Sequence, residues 1–404
     1  MARRNCPSGR PAKARPAAVK QKARDVKTSR FVQVARALGI VCVSTLVGVS
    51  PAFADDTPGS QAAPDAAVFR ATVERLRTES GARAVLAGLW QGDAPGVTIA
   101  LGESMTLVPA DTSMTVRIGG ISQLFLGTLL MRLVEQGHLS LDDKVSQYLP
   151  DLLSADAVTV AMLAQNTAGY KDYVRDEAFL DLVLEDPFRQ FSSQEIIDFA
   201  TKDGEMNFPP GTEQRYSHTE FTILREVIER ATGRPMAELY QAEILDPLGL
   251  TGTGYSTTPA LPDPVLHVYS SDRGVYEEAT FWNPSWAGES GALYSNLDNL
   301  GKWGPAFGTG QLLDPASFQA LIKRPDAAPE EGPYFAAGFV VANGWYFQNP
   351  NINGYTGVMG YLPAKDLTLA VFASQTADPK VVHPAFEMFR ALVLEFAPDS
   401  PLGL

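Results

Sequence analysis

The chain has 404 residues, with 33 Lys/Arg against 46 Asp/Glu and a net charge of −13. So acidic a chain repels nucleic acid and anionic lipid, which both need a basic face. Its two cysteines, Cys6 and Cys42, lie in the first 54 residues, so the rest has neither a disulfide framework nor a thiol nucleophile.

Residues 1 to 36 carry eleven Lys/Arg and one acid, Asp25. The apolar run ALGIVCVSTLVGV follows over 37 to 49, and then SPAFA, with Ala52 and Ala54 in a small-x-small pattern. A signal peptidase reads that order. Residues 1 to 54 are therefore expected to be a Sec-type signal peptide, cut after Ala54, that sends the protein to the periplasm or the medium. The apolar run is shorter than the roughly 20 residues of a membrane span. Cys42 follows Val41 in mid-run, which does not fit a lipoprotein site. Without the leader the chain keeps 22 Lys/Arg and 45 Asp/Glu, a net of −23. That charge fits solubility outside the cytoplasm, and the remaining 350 residues can bury a core without covalent staples.

Residues 55 to 65, beginning DDTPGSQAAP, read as a flexible N-terminus. DAAVFRATVERLRTES predicts a helix with Val68, Val73 and Leu76 on one face. RAVLAGLW and PGVTIALG, separated by QGDAP, predict two antiparallel strands. Ile121 to Glu135 is apolar nearly all round, the mark of a buried helix, with Gly137 as its C-terminal stop. Residues 140 to 300 are mostly helical patterns broken by Pro and Gly. Among them are SSQEIIDFATKDG, with a capping-box start, and TEFTILREVIERATGR. Strand patterns return from 335 in FAAGFVVANGWYF, NGYTGVMGYLPA and LTLAVFAS, and a helix over about 381 to 396 closes the chain. This order predicts a split α/β domain, 66–139 with 301–396, an inserted helical domain, 140–300, and a tail, 397–404.

Five stretches carry a resemblance: VRIGGISQLFLGTLLMRLVEQGHLSLDDKVSQYLPDL, VTVAMLAQNTAGYKDYV, the long run from FPPGTEQRYSHTEF to LGLTGTGY, GESGALYSNLDNLGKW, and NGYTGVMGY. In order and spacing they resemble the serine β-lactamase and penicillin-binding-protein family, in its D-alanyl-D-alanine carboxypeptidase and β-lactamase-like esterase branch. The resemblance covers roughly residues 85 to 396. It implies an α/β fold of the β-lactamase/D,D-peptidase type: an antiparallel sheet flanked by helices, plus an inserted all-helical domain.

The family's Ser-x-x-Lys motif resembles Gly120-Ile121-Ser122-Gln123, which puts Gly120 at the nucleophile position and Gln123 at the base position. Tyr-x-Asn resembles Tyr216-Ser217-His218, and His/Lys-Thr/Ser-Gly resembles Tyr355-Thr356-Gly357. Glycine has no atom to attack with and glutamine accepts no proton, so the hydroxyl and base that acyl transfer needs are both missing. Tyr216, without the neighbouring ammonium that the family supplies, is expected to stay near the ordinary phenol pKa of about 10 and to be neutral at pH 7. Ser122 lies two residues from Gly120, about 200° round the helix, and suits a backbone hydrogen bond. Ser217 suits a structural role, and His218 a hydrogen-bonded wall. The four histidines, His138, His218, His267 and His383, have no metal-site spacing; neither metal nor cofactor is expected.

What the resemblance leaves in place is backbone. It implies an oxyanion hole at the N–H groups of Gly120 and Val358, which suits a carbonyl or carboxylate. FWNPSW, Phe281 to Trp286, fits either a wall of that cleft or plain core. The reading is therefore an exported β-lactamase-like pseudoenzyme that binds or scaffolds in the cell envelope. The resemblance gives its ligand class as D-Ala-ended peptidoglycan peptide. The alternative is an active D,D-carboxypeptidase, esterase or β-lactamase with a site remodelled around Tyr216, His218 and Tyr355. A third is a partner protein bound far from the cleft.

Overall fold

The computed structural model describes residues 65–378 and 380–404; the expected signal peptide and the flexible segment up to 64 lie outside them. Helix α1 (Ala66–Ser80) starts on Asp65, whose carboxylate accepts from the Ala67 and Val68 N–H groups, and stops at Gly81 in the left-handed conformation. Its buried face is Phe69, Thr72 and Val73, whereas Val68 is exposed. Of the expected stripe, Val73 is buried and Leu76 packs against the core, and Phe69 takes the place expected of Val68 because it contributes the larger apolar surface.

The main sheet is antiparallel. Strands β1 (Ala84–Gln91) and β2 (Val97–Met105) form the expected hairpin, and β3 (Val108–Pro109) extends it. On its other side β1 pairs with β14 (Leu367–Ser374), with Val85 opposite Ala373 and Gln91 opposite Leu367. Then follow β13 (Tyr355–Leu362), β11 (Trp345–Gln348), β10 (Val340–Ala342) and β9 (Tyr334–Phe335). Every residue of β13 and β14 is buried, because helices cover both faces. Helix α8 (Leu297–Gly308) approaches through Gly308 against Tyr361, and α10 (Pro384–Phe396) through Phe389 against Gly360, the adjacent residue of opposite facing. α10 begins three residues later than expected, at Pro384, with His383 as its cap.

Helix α2 (Ser122–Glu135) is the axis of the molecule. Ten residues in succession, Ser122 to Met131, are buried, and Phe125 stacks on Trp303 with ring centroids 3.9 Å apart. Gly137, at φ +74°, ends it as expected. A three-stranded sheet holds its start in place: β4 (Val116–Arg117) pairs with β8 (Leu293–Ser295), which pairs with β5 (Gly254–Tyr255). Ser122 contributes directly, its hydroxyl accepting from the Leu293 N–H at 3.1 Å.

Between 140 and 300 lie helices α3 (Val160–Ala164), α4 (Glu177–Glu185), α5 (Ser193–Thr201), α6 (His218–Thr232) and α7 (Met236–Tyr240). The capping box on α5 forms between Ser192 and Glu195. The stretch is not purely helical, since β5, β8 and the hairpin β6 (Tyr269–Ser270) with β7 (Glu277–Glu278) belong to it. Helix α6 buries Glu220, whose carboxylate accepts from the Ala168, Gly169 and Tyr170 N–H groups at 2.9–3.2 Å. That triple contact fixes the loop leading to Asp172. The C-terminal tail is docked: Trp345 Nε1 donates to Ser400 O at 2.7 Å and Leu402 is buried.

Candidate ligand-binding cleft

A single 3-10 turn, Gly119–Ile121, leads the chain from β4 into α2. Gly119 has φ +45°, and a Cβ there would lie 2.4 Å from Pro350 Cβ, so this turn demands glycine twice over. Gly120 is different. A Cβ on it would meet only the Gln348 amide, with Oε1 at 3.6 Å. The first closed turn runs from Ile121 N–H to Ile118 O, so the Gly120 N–H precedes the helical ladder, and no side chain caps the turn.

Three side chains then form a directed relay. Gln348, at the end of β11, donates from Nε2 to Gly338 O at 2.9 Å and to Gln123 Oε1 at 2.6 Å. Gln123 donates from Nε2 to Tyr216 Oη, also at 2.6 Å. The direction is physically fixed, because a backbone carbonyl only accepts. Gly338 O therefore requires the NH₂ group of Gln348, which requires the oxygen of Gln123, which turns the Gln123 NH₂ group onto the phenol. Tyr216 is the acceptor in this pair, and its own O–H is left for the cavity. Burial pushes the phenol well above its ordinary pKa, with the Gln123 hydrogen bond acting the other way, so Tyr216 stays protonated.

The next motif residue, His218, opens α6. Its Nδ1 lies 3.1 and 3.2 Å from the two carboxylate oxygens of Asp172, which is itself buried. Asp172 also accepts from the Val174 and His218 N–H groups, both at 3.3 Å. The imidazole meets the Tyr216 ring edge-on at 4.7 Å. With Nδ1 committed to the carboxylate, Nε2 is the nitrogen left to the cleft.

Gln123 and Asp172 stand behind the wall of a cavity of about 600 Å³, within the size range of small-molecule sites. Gly120, Tyr216, His218, Gln348, Ser290, Arg175 and Arg215 line it, with Trp286, Phe335, Phe347 and Phe386 as apolar wall. Ser290 Oγ is buried beside the Tyr216 phenol. The FWNPSW stretch divides between the two roles expected of it. Trp286 walls the cavity and donates from Nε1 to Asn353 Oδ1 at 2.9 Å, while Trp282 is buried in the packing and its carbonyl accepts from Asn353 Nδ2 at 3.0 Å.

Not every sequence candidate reaches the cavity. Tyr355 donates its hydroxyl to Leu266 O at 2.7 Å and Thr356 to Ala373 O at 3.0 Å. Val358 is fully buried in β13. None of the three, nor Gly357, lines the cavity. The cause is strand β12 (Asn351–Ile352), which pairs back onto Thr356 and Tyr355, while Gly357 N–H donates to Pro350 O at 2.9 Å. The edge of β13 is thereby occupied by the chain itself. Ser217 is buried inside the motif, with its N–H on Asn166 Oδ1 at 2.7 Å. His267 pairs with Glu278 and His383 with Asn349 O. Among the described residues no three His, Cys, Asp or Glu converge as metal ligands.

Sequence reasoning did not single out Asp172, Gln348, Arg175 or Ser290. A signal existed for Gln348, the one polar residue at the end of an apolar strand ahead of NPN. For Asp172, its place two residues before Val174 marks only a turn.

The profile of the family described as Beta-lactamase matches residues 69–391. Over 193 residues the chain is 27% identical to the D-alanyl-D-alanine-carboxypeptidase/endopeptidase AmpH of Escherichia coli (strain K12), covering 46% of this chain and 47% of that protein. It is 30% identical over 193 residues to Penicillin-binding protein 4 of Amycolatopsis lactamdurans, covering 46% and 48%. It thus spans about half the length of these relatives. Among solved structures, a D-stereospecific amidohydrolase from Streptomyces sp. superposes with a TM-score of 0.73 at 24% identity, over 83% of this chain and 99% of that one. A penicillin binding protein from Bacillus halodurans gives 0.67 at 22%, over 79% and 99%. Below a quarter identity, these likenesses speak for the fold.

Proposed function

The chain belongs to the beta-lactamase family, and from that premise we propose that it is an exported member that binds a small ligand in its cleft and does not acylate. The observation that carries this reading is the Gln348–Gln123–Tyr216 relay beside Gly120. Acyl transfer in this family needs a hydroxyl at position 120 and a proton acceptor at 123. Here the first position has no side chain, and the second supplies an amide that holds the phenol as a neutral donor. The chemistry of the cleft is reversed from accepting a proton to offering hydrogens. Losing the nucleophile of such a unit lowers turnover about a million-fold. The split α/β domain (66–139 with 301–396) and the 140–300 insertion would place the cleft between them. Export rests on the order of basic, apolar and Ala-x-Ala segments ahead of Asp55.

The experiment is incubation with benzylpenicillin and intact-mass detection, alongside turnover of a chromogenic cephalosporin and a D-Ala-D-Ala peptide. Neither an adduct nor turnover above background is expected. A covalent adduct on the unaltered protein would overturn the reading.

A second reading draws on the Asp172–His218 pair. An imidazole oriented by a buried carboxylate, with its other nitrogen toward a cavity, has the arrangement of a general base for water. Under that reading an aryl ester is hydrolysed at roughly 1 per second, within the ordinary enzyme range, and His218→Ala abolishes it.

A further inference from the structure

Resting on the binding reading above, we propose that the cleft takes a monocarboxylate on an aryl or alkyl body. The carboxylate sits among the Tyr216 hydroxyl, the Gly120 N–H and the Arg175 guanidinium. The polar end of the cavity offers donors at Tyr216, Gly120 and Arg175, beside two acceptors, His218 Nε2 and Gln348 Oε1. Tyr216 receives the Gln123 amide and must donate onward. The Gly120 N–H precedes the first closed turn of α2. Ser290 Oγ, buried beside the Tyr216 phenol, faces the same space.

Charge sets the sign of the ligand. Two arginines, Arg175 and Arg215, line the cavity and no Asp or Glu does, in a chain whose acids outnumber its bases by 46 to 33. Arg175, whose charge acts on the Tyr216 phenol, is the anchor. It lies 3.7 Å from the Asp172 carboxylate that orients His218, and half of its side chain is exposed. Arg215 already pairs with Glu213 at 3.0 Å. An anion drawn into an acidic protein through one cationic mouth is focused on that mouth.

The rest of the cavity determines the body. Trp286, Phe335, Phe347 and Phe386 offer apolar surface with no further charged side chain. An extended peptide is disfavoured, because it would add to a free strand edge and the β13 edge is taken by Asn351–Ile352. The ligand is therefore compact and single-ended: one anionic group, one apolar body.

The test is calorimetric titration of the whole protein with 4-phenylbutyrate and with 4-phenylbutyramide, which has the same body and no charge. The carboxylate is expected to bind at least about tenfold more tightly, the ratio that one hydrogen bond to a charged group supplies. Tyr216→Phe should weaken the carboxylate about tenfold. Arg175→Gln, at a half-exposed position where folding is not at stake, should bring the two ligands to parity. Equal binding of acid and amide by the unaltered protein overturns the inference, as does an Arg175→Gln variant that keeps the preference, or the absence of acid binding at 10 mM (roughly the weakest useful affinity). The penicillin adduct decides the binding reading separately, so the two failures are distinguishable.

Discussion

The double change Gly120→Ser with Gln123→Lys tests whether two side chains separate this cleft from acyl transfer. The serine half is cheap. Its Cβ makes one ordinary contact, 3.6 Å from Gln348 Oε1, at a backbone conformation open to any residue. The lysine half is costly. Its ammonium still donates to Tyr216 Oη but removes the oxygen that accepts from Gln348 Nε2. Gln348 cannot turn its amide without losing Gly338 O. One buried donor is left unmet, at about 1–3 kcal/mol. At 2–4 °C per kcal/mol for a domain of 150–250 residues, that is a fall in Tm of roughly 2–12 °C. The assay is intact mass after benzylpenicillin, with a melting scan on the same samples. The expected result is a slow adduct on the double variant only, since nucleophile and base act as a unit. Labelling of Gly120→Ser alone at the same rate would refute the assignment of Gln123 as the missing base. A double variant that folds and is never labelled would show that the cleft does not admit an acyl donor at all.

Gly119→Ala and Gly120→Ala should separate two neighbouring glycines. The first combines a left-handed φ with a 2.4 Å approach to Pro350 and should cost more than about 2 kcal/mol in urea unfolding, whereas the second should stay within about 0.5; equal effects would contradict the turn geometry. Glu289 accepts from the Tyr240 and Tyr255 hydroxyls, and burial pushes its carboxyl up to about 7 against the pull of Arg225. The folded protein thus holds that proton more tightly than the unfolded chain. Its contribution is present below the ordinary value of 4.5 and is lost as pH rises through about 7. Glu289→Gln should flatten Tm between pH 5 and 7 and match or exceed the parent at pH 8, and a steeper decline would refute this.

Local pattern was enough for the elements. The stretch from Ile121 to Val134, apolar nearly all round, could only be a buried helix, and the strand runs around 85, 100, 358 and 370 could only pair. Motif order fixed the fold for the same reason: the spacing of the five stretches is set by the backbone between them, whatever side chains they carry. The substitutions themselves, Gly120, Gln123 and His218, were also plain in the chain.

What those substitutions do was decided in three dimensions. Asp172 meets His218 across 46 residues, and Gln348 meets Gln123 across 225. No local period records such pairs, because each depends on how α6 and β11 pack around α2. The direction of the relay follows from one carbonyl, Gly338 O, that no sequence pattern marks. Tyr355 was read into the cleft from its motif, yet strand β12 pairs onto it and its side chain is buried, with the hydroxyl on Leu266 O. A motif states which residue types stand near one another along the chain; which of their atoms face the same empty space depends on the packing of distant segments, and only the folded chain supplies that.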